Sequence, residues 1–140
     1  MTLFLPHPAY RRRDDTRPRK AGGKRKSPEH KFQVALVKEL RRHARCLWWA
    51  VPNGGYRNLF TATKLQAEGV RRGVPDLHFL LPGGRIAFLE LKAPKGVLSA
   101  DQKAFRDQAF EVGAEWAFAK TLDEAWDVLA GWGVLPGRVP

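Results

Sequence analysis

Two apolar runs of strand length, residues 77–81 and 86–91, are separated only by Pro82-Gly83-Gly84-Arg85. Proline and glycine between such runs mark a tight turn, so the stretch reads as a β-hairpin whose interior is apolar enough to be central and buried. Charged residues stand where the hairpin's two strands end together. Asp76 opens the first strand, and Glu90 and Lys92 close the second. Alternation along a strand puts Glu90 and Lys92 on one face and Leu91 on the other. The register decides whether Asp76 joins them. A loop with an even number of residues pairs Asp76 with Leu91 and turns it away. A three-residue loop, Pro82-Gly83-Gly84, pairs Leu81 with Arg85 and hence Asp76 with Glu90. Three-residue loops commonly combine a type I turn with a left-handed residue, and Pro82 and Gly84 suit those two places. A bulge near Asp76 would bring about the same alignment.

Charges are seldom placed at a buried sheet edge unless they are paired or liganded. One reading is therefore a salt bridge between Lys92 and Glu90 or Asp76. The other is a hard-cation site. Two carboxylates that leave room for water and a phosphate suit Mg²⁺. A lysine beside them can orient a water or offset charge on a phosphate in flight.

The residues Gly73-Val74-Pro75-Asp76 with Glu90-Leu91-Lys92 resemble the signature of PD-(D/E)xK nucleases. Their surroundings are similar to the VRR-NUC branch, the virus-type replication-repair nucleases. The similarity extends to Glu29 and Gln33, Pro52-Asn53-Gly54-Gly55 with Arg57, Lys92-Ala93-Pro94, and Ser99-x-x-Gln102, and spans about residues 28 to 130. It implies an α/β fold, a restriction-endonuclease-like αβββαβ core with a mixed four-stranded sheet flanked by helices. It also implies a metal-dependent phosphodiesterase in which Asp76 and Glu90, with the Leu91 carbonyl and Glu29, hold Mg²⁺, and in which Mn²⁺ substitutes. Asp76, Glu90 and Lys92 are then the catalytic set, with Lys92 orienting the attacking water. Gln33 and Gln102 are accessory candidates, and His30 and His78 weaker candidates for a general base.

The chain has 140 residues and a net charge of +11. Residues 1–28 hold nine basic residues against two acidic, a net +7 of that +11. A basic, apolar-poor stretch with several Pro and Gly reads as a disordered arm, either a solubilising tail or a nonspecific phosphate-binding element. The expected layout is thus an arm over 1–27, a nuclease-like domain over 28–135 and a tail over 136–140. Cys46 is the only cysteine, which excludes a disulfide framework, fits a reducing cytoplasm and reads as a small apolar strand residue. No run of about 20 apolar residues is present to span a membrane, and residues 1–9 are too short and proline-containing for a signal peptide. The resemblance places the chain in a bacterial or phage-infected cell.

Other elements follow from capping and periodicity. Ser27, Pro28 and Glu29 open a first helix with Phe32, Leu36 and Leu40 inward. Residues 46–51 form a first strand. The Gly54-Gly55 loop after it, with Asn53 and Arg57, is either an ordinary turn or a phosphate cradle. A short helix over residues 61–68 closes at Gly69. Arg71 and Arg72 then meet DNA phosphates, as do Lys95 and Lys103 further on. Ser99-x-x-Gln102 and Thr121-x-x-Glu124 are capping boxes that open two more helices. The first has Phe105, Ala109 and Val112 inward, and the second Leu122, Trp126 and Leu129. The five tryptophans read as core or dimer surface. The partner is DNA, and the scarcity of base-reading elements favours branched or structured DNA in replication, recombination or repair. Junction resolvases, which small nucleases of this kind resemble, act as dimers, so a homodimer is expected. Two rivals stand beside this: a non-catalytic basic binding module, and a restriction-like duplex nuclease.

Overall fold

The computed structural model of the chain describes residues 27–52 and 59–138. The basic arm, together with Asn53 and Arg57, lies outside the described residues. The element order is α1 (Pro28–His43), β1 (Leu47–Ala50), α2 (Leu59–Ala67), β2 (Leu77–Leu80), β3 (Ile86–Leu91), α3 (Ala100–Glu111), β4 (Glu115–Ala119) and α4 (Leu122–Gly131). The strands form one mixed sheet in the order β1-β2-β3-β4, antiparallel except for the parallel pair β3-β4. The expected α/β architecture is the one observed. Among the described residues no helix is long and apolar enough to cross a membrane.

Strand alternation sorts the core into two layers. Ala87, Leu89 and Leu91 of β3 face α1 and α4, where they meet Leu36, Leu40, Ala125 and Leu129. Ile86 and Phe88 face α3, where they meet Phe105 and Ala109. Each fully buried leucine contributes about 1.5–3 kcal/mol relative to leaving it in water. The α1 stripe is thus what anchors that helix, and with it Glu29, against β3. Ser27 caps α1 by accepting from the His30 N–H at 3.2 Å, and Arg41, Arg42 and His43 complement the helix's negative end.

The hairpin has the register that the three-residue loop requires. Leu77 pairs with Leu89 and Leu80 with Ile86, and the Leu81 N–H donates to the Arg85 carbonyl at 2.7 Å. Continued one step, this sets Asp76 opposite Glu90. The turn itself differs from expectation. Gly83 and Gly84 both have positive φ, +85° and +83°. A positive φ at the third turn position belongs to a type II turn, so the glycine pair carries the geometry where a type I turn was expected.

Several expectations about helix faces and ends need correcting. Val112 is 84% exposed because α3 ends at Glu111, and Gly113 turns the chain away toward β4. Leu122 is 36% exposed, and Ala125 takes the inward place in α4 beside Leu129 and the half-buried Trp126. Thr121 caps α4 through the Glu124 N–H, but the Glu124 carboxylate accepts from Lys120 N rather than from Thr121, so only half of that capping box forms. β1 is shorter than expected, and Cys46 precedes it, half-buried. α2 starts two residues earlier than expected and buries none of its residues.

Candidate active site

Asp76 comes to the site from the entry into β2, and Glu90 and Lys92 from the end of β3. The Asp76 Oδ2 accepts from the Leu91 N–H at 2.8 Å, so the carboxylate is fixed by the backbone of the strand that carries its partner. Beside it, the Asp76 carbonyl accepts from the Val51 N–H at 2.9 Å, which ties the same residue to the end of β1.

Glu90 is 4% exposed, the only buried charged residue among those described. Its Oε1 accepts from the Gln102 Nε2 at 2.6 Å and lies 3.6 Å from the Lys92 ammonium. Its Oε2 is buried and has no hydrogen-bond partner. A buried acceptor left open costs free energy comparable to a lost hydrogen bond or more, so such groups call for an explanation. The Glu90 carboxyl is pushed up to about 8, first by burial and then by the negative charge of Asp76, with Lys92 opposing and Glu29 adding a little.

This environment has a consequence for stability. A carboxyl whose proton affinity rises on folding lowers stability as pH climbs from the ordinary carboxylate range through about 8. Below that window the cost is absent, because Glu90 is protonated in the folded and unfolded chain alike. Glu90→Gln, which keeps an acceptor for Gln102, is therefore expected to raise the melting temperature by several degrees at pH 9 in EDTA and to change it little near pH 4. A variant that melts lower than wild type at pH 9 contradicts this account of the site.

Gln102 has two jobs. Its Oε1 accepts from the Ser99 N–H at 2.9 Å, completing the capping box of α3, while its Nε2 holds Glu90. The α3 terminus is brought that close by Gly73. A Cβ at Gly73 would lie 2.3 Å from the Asp101 carbonyl oxygen, and its φ is +78°. No side chain fits there, so the Gly73-Val74-Pro75 approach to Asp76 packs directly on the first turn of α3.

The remaining candidates are placed unequally. Glu29, His30, Gln33, Leu91 and Lys92 line a cleft of about 430 Å³ together with Asp76, Glu90 and Gln102. The Glu29 carboxylate accepts from the Ala93 N–H at 3.2 Å, bridging α1 to the segment after β3. Arg71 and Arg72 line a second cleft of about 800 Å³, which also reaches Asp76, Glu90 and Gln102. Lys95 and Lys103 are exposed and line neither cleft. His78 is not in the site. Its Nε2 lies 3.1 Å from the Pro75 carbonyl, its ring packs edge-on between Trp49 and Phe88, and burial holds it below the usual histidine range.

Among the described residues no three Asp, Glu, His or Cys side chains gather into a cation cage. What the site offers is two carboxylates on one face, one of them with an open, buried oxygen. That donor set fits Mg²⁺, which keeps several waters and takes one or two carboxylates plus substrate phosphate.

A family model described as the VRR-NUC domain matches residues 27–120. Among solved structures, the chain is similar to one described as a VRR_NUC domain protein, with a TM-score of 0.59 and 18% identity, covering 78% of this chain and 90% of that one. A second, described as a VRR_NUC domain, has a TM-score of 0.52 and 22% identity, with 74% and 94% covered. No curated protein matches.

Proposed function

We propose that this chain, which belongs to the VRR-NUC domain family and so to a nuclease class of domain, is a Mg²⁺-dependent DNA endonuclease that reads the shape of branched or otherwise structured DNA. The observation that carries the reading is the buried, open Oε2 of Glu90 beside Asp76. A salt bridge with Lys92 accounts for Oε1 alone. A divalent cation held there would relieve the remaining cost by taking the place of a proton on Glu90.

Asp76 and Glu90 would hold the cation, with the Leu91 carbonyl as a third donor and Glu29 in reach of its waters. Bound there, Mg²⁺ supplies Lewis-acid polarisation of a phosphate oxygen and lowers the pKa of water. The chain's own groups do the rest. Lys92 is 14% exposed with its ammonium 3.6 Å from Glu90, and in this reading it would orient the attacking water and offset the developing negative charge. Gln102 and the Leu91 N–H keep the two carboxylates at fixed positions, so little reorganisation is needed when substrate arrives.

Substrate class is tested by presenting the protein with Mg²⁺ and four labelled DNAs: a four-way junction, a flap, a linear duplex and a single strand. Faster cutting of the junction or flap is the expected result. A cut at one defined duplex sequence would replace this reading with a restriction-like one, and binding without cutting would leave a basic binding module. Two copies acting on one junction would account for paired cuts.

The basic arm is expected to add affinity without specificity, since phosphate contacts carry no sequence information. Each neutralised duplex phosphate contributes about 0.9 to the slope of log K against log salt. Deleting residues 1–26, with the Ser27 cap retained, should flatten that slope by several units and leave the rate at saturating DNA unchanged. A collapse of the saturated rate would show that the arm enters the site.

A further inference from the structure

The cleft that Arg71 and Arg72 line has no task in holding a metal, yet it opens directly onto the carboxylates. At about 800 Å³ it is of the size at which clefts enclose a small-molecule ligand, roughly 300–1,000 Å³. One wall is α2, which contributes Ala62 and Leu65, and the sheet side contributes Val51 and Val74. A duplex backbone running over the site can use the charged rim, Arg71 and Arg72, but gains nothing from the apolar side that Ala62, Leu65, Val51 and Val74 form. A nucleobase removed from its stack needs such a recess. Polar groups for a base edge are also present, in Gln66 on α2 and in Asp101 and Gln102 on the first turn of α3.

The rim is set for the phosphate that would accompany that base. Arg71 is braced, with its guanidinium 5.1 Å from the centre of the Phe105 ring, which in turn packs edge-on against Phe88. A stacked guanidinium loses little freedom on binding, so its contact with a phosphate is well placed. The two clefts share Val51, Pro52, Asp76, Glu90 and Gln102, so the carboxylates stand at the junction between them. A strand whose phosphate sits at the carboxylates therefore has its neighbouring nucleotide at the mouth of the larger cleft.

We infer that the α2–α3 cleft receives one unpaired nucleotide next to the phosphate that is cut, base inward and phosphate on Arg71. The inference rests on the nuclease reading for its scissile phosphate, but its binding claim can be measured without any cutting. Taking a paired base out of a duplex costs free energy that an unpaired base does not, and this difference becomes selectivity. The enzyme should accordingly favour DNA in which a nucleotide is already unpaired, which gives a physical content to its preference for branched DNA.

The test uses the full chain and a duplex interrupted by one unpaired 2-aminopurine, with the fully paired duplex as control. With Ca²⁺ in place of Mg²⁺, binding should raise 2-aminopurine fluorescence for the interrupted duplex and not for the paired one. With Mg²⁺, the interrupted duplex should be cut about 30-fold or more faster. Ala62→Phe fills the cleft from a helix that buries none of its residues, and an unchanged melting temperature will show that the fold is kept. It should abolish the fluorescence rise and remove the preference. Cleavage with no rise and no preference overturns the inference and leaves the nuclease reading intact. A rise that Ala62→Phe removes, without cleavage of any DNA, upholds the cleft and overturns the nuclease reading.

Discussion

Asp76→Asn and Glu90→Gln are each expected to lower the rate of DNA cleavage by about 10³-fold or more, and Lys92→Ala by roughly 10²–10³-fold, with DNA binding retained. The size follows from what each group does. Losing a cation worth several kcal/mol of transition-state stabilisation corresponds to about 10³-fold at ~4 kcal/mol. Removing one preorganised donor to developing charge costs roughly 10²–10³-fold. Binding survives because the phosphate contacts are assigned to Arg71, Arg72 and the arm. The three variants differ in stability in a way that separates this account from a salt-bridge network. At pH 9, where Glu90 is largely ionised, Lys92→Ala leaves that buried carboxylate without the one cation found within 4 Å among the described residues, and is expected to destabilise the protein. Glu90→Gln removes the strained charge and is expected to stabilise it at high pH. If the cluster served only the fold, the three variants would cut as fast as wild type, in proportion to the folded protein present.

Exchange of the cation gives the second large effect. Mn²⁺ is expected to sustain cleavage, whereas Ca²⁺ is expected to support DNA binding with a rate at least about 10²-fold lower than that with Mg²⁺. Ca²⁺ accepts six to eight ligands at longer and irregular distances, while Mg²⁺ demands near-octahedral geometry at about 2.0–2.1 Å. The carboxylates here are held from several sides, Asp76 by the Leu91 N–H and Glu90 by Gln102 and Lys92. A site so fixed is expected to discriminate between cations by geometry. The comparison is made by measuring cleavage rate and DNA affinity in parallel for each ion. Equal rates with Ca²⁺ and Mg²⁺ would mean that the cation screens phosphates and does not take part in the chemistry.

Much of the site was legible because its central fact is local. The register that faces Asp76 with Glu90 follows from the count of residues in one turn, and Ser27 and Ser99 announce helix starts within four residues of sequence. Gln102 shows where locality fails. Ser99-x-x-Gln102 predicts a cap, and the cap forms, but the recipient of the second amide bond depends on how closely α3 approaches the end of β3. Gly73 permits that approach, and its signal in the sequence is only a glycine before Val74-Pro75-Asp76. Helical periodicity points Val112 and Leu122 inward, but Val112 lies just past the end of α3 and Leu122 is the first residue of α4, where the chain has not yet turned onto the sheet. His78 alternates correctly along β2, yet its partners are the rings of Trp49 and Phe88, whose positions depend on the pairing of three strands. The larger cleft left no trace in any one segment, because its walls come from α2, the Arg71–Val74 approach and the first turn of α3.

The central claim is that Asp76 and Glu90 hold a divalent cation that cuts phosphodiester bonds. Its most direct test is cleavage of a labelled branched DNA by the wild-type protein in excess EDTA and again after Mg²⁺ is restored, with Asp76→Asn treated in parallel. The account predicts no cleavage in EDTA, full recovery with Mg²⁺ for wild type, and no recovery for Asp76→Asn. Undiminished cleavage in EDTA, or recovery of the variant to the wild-type rate, would contradict it.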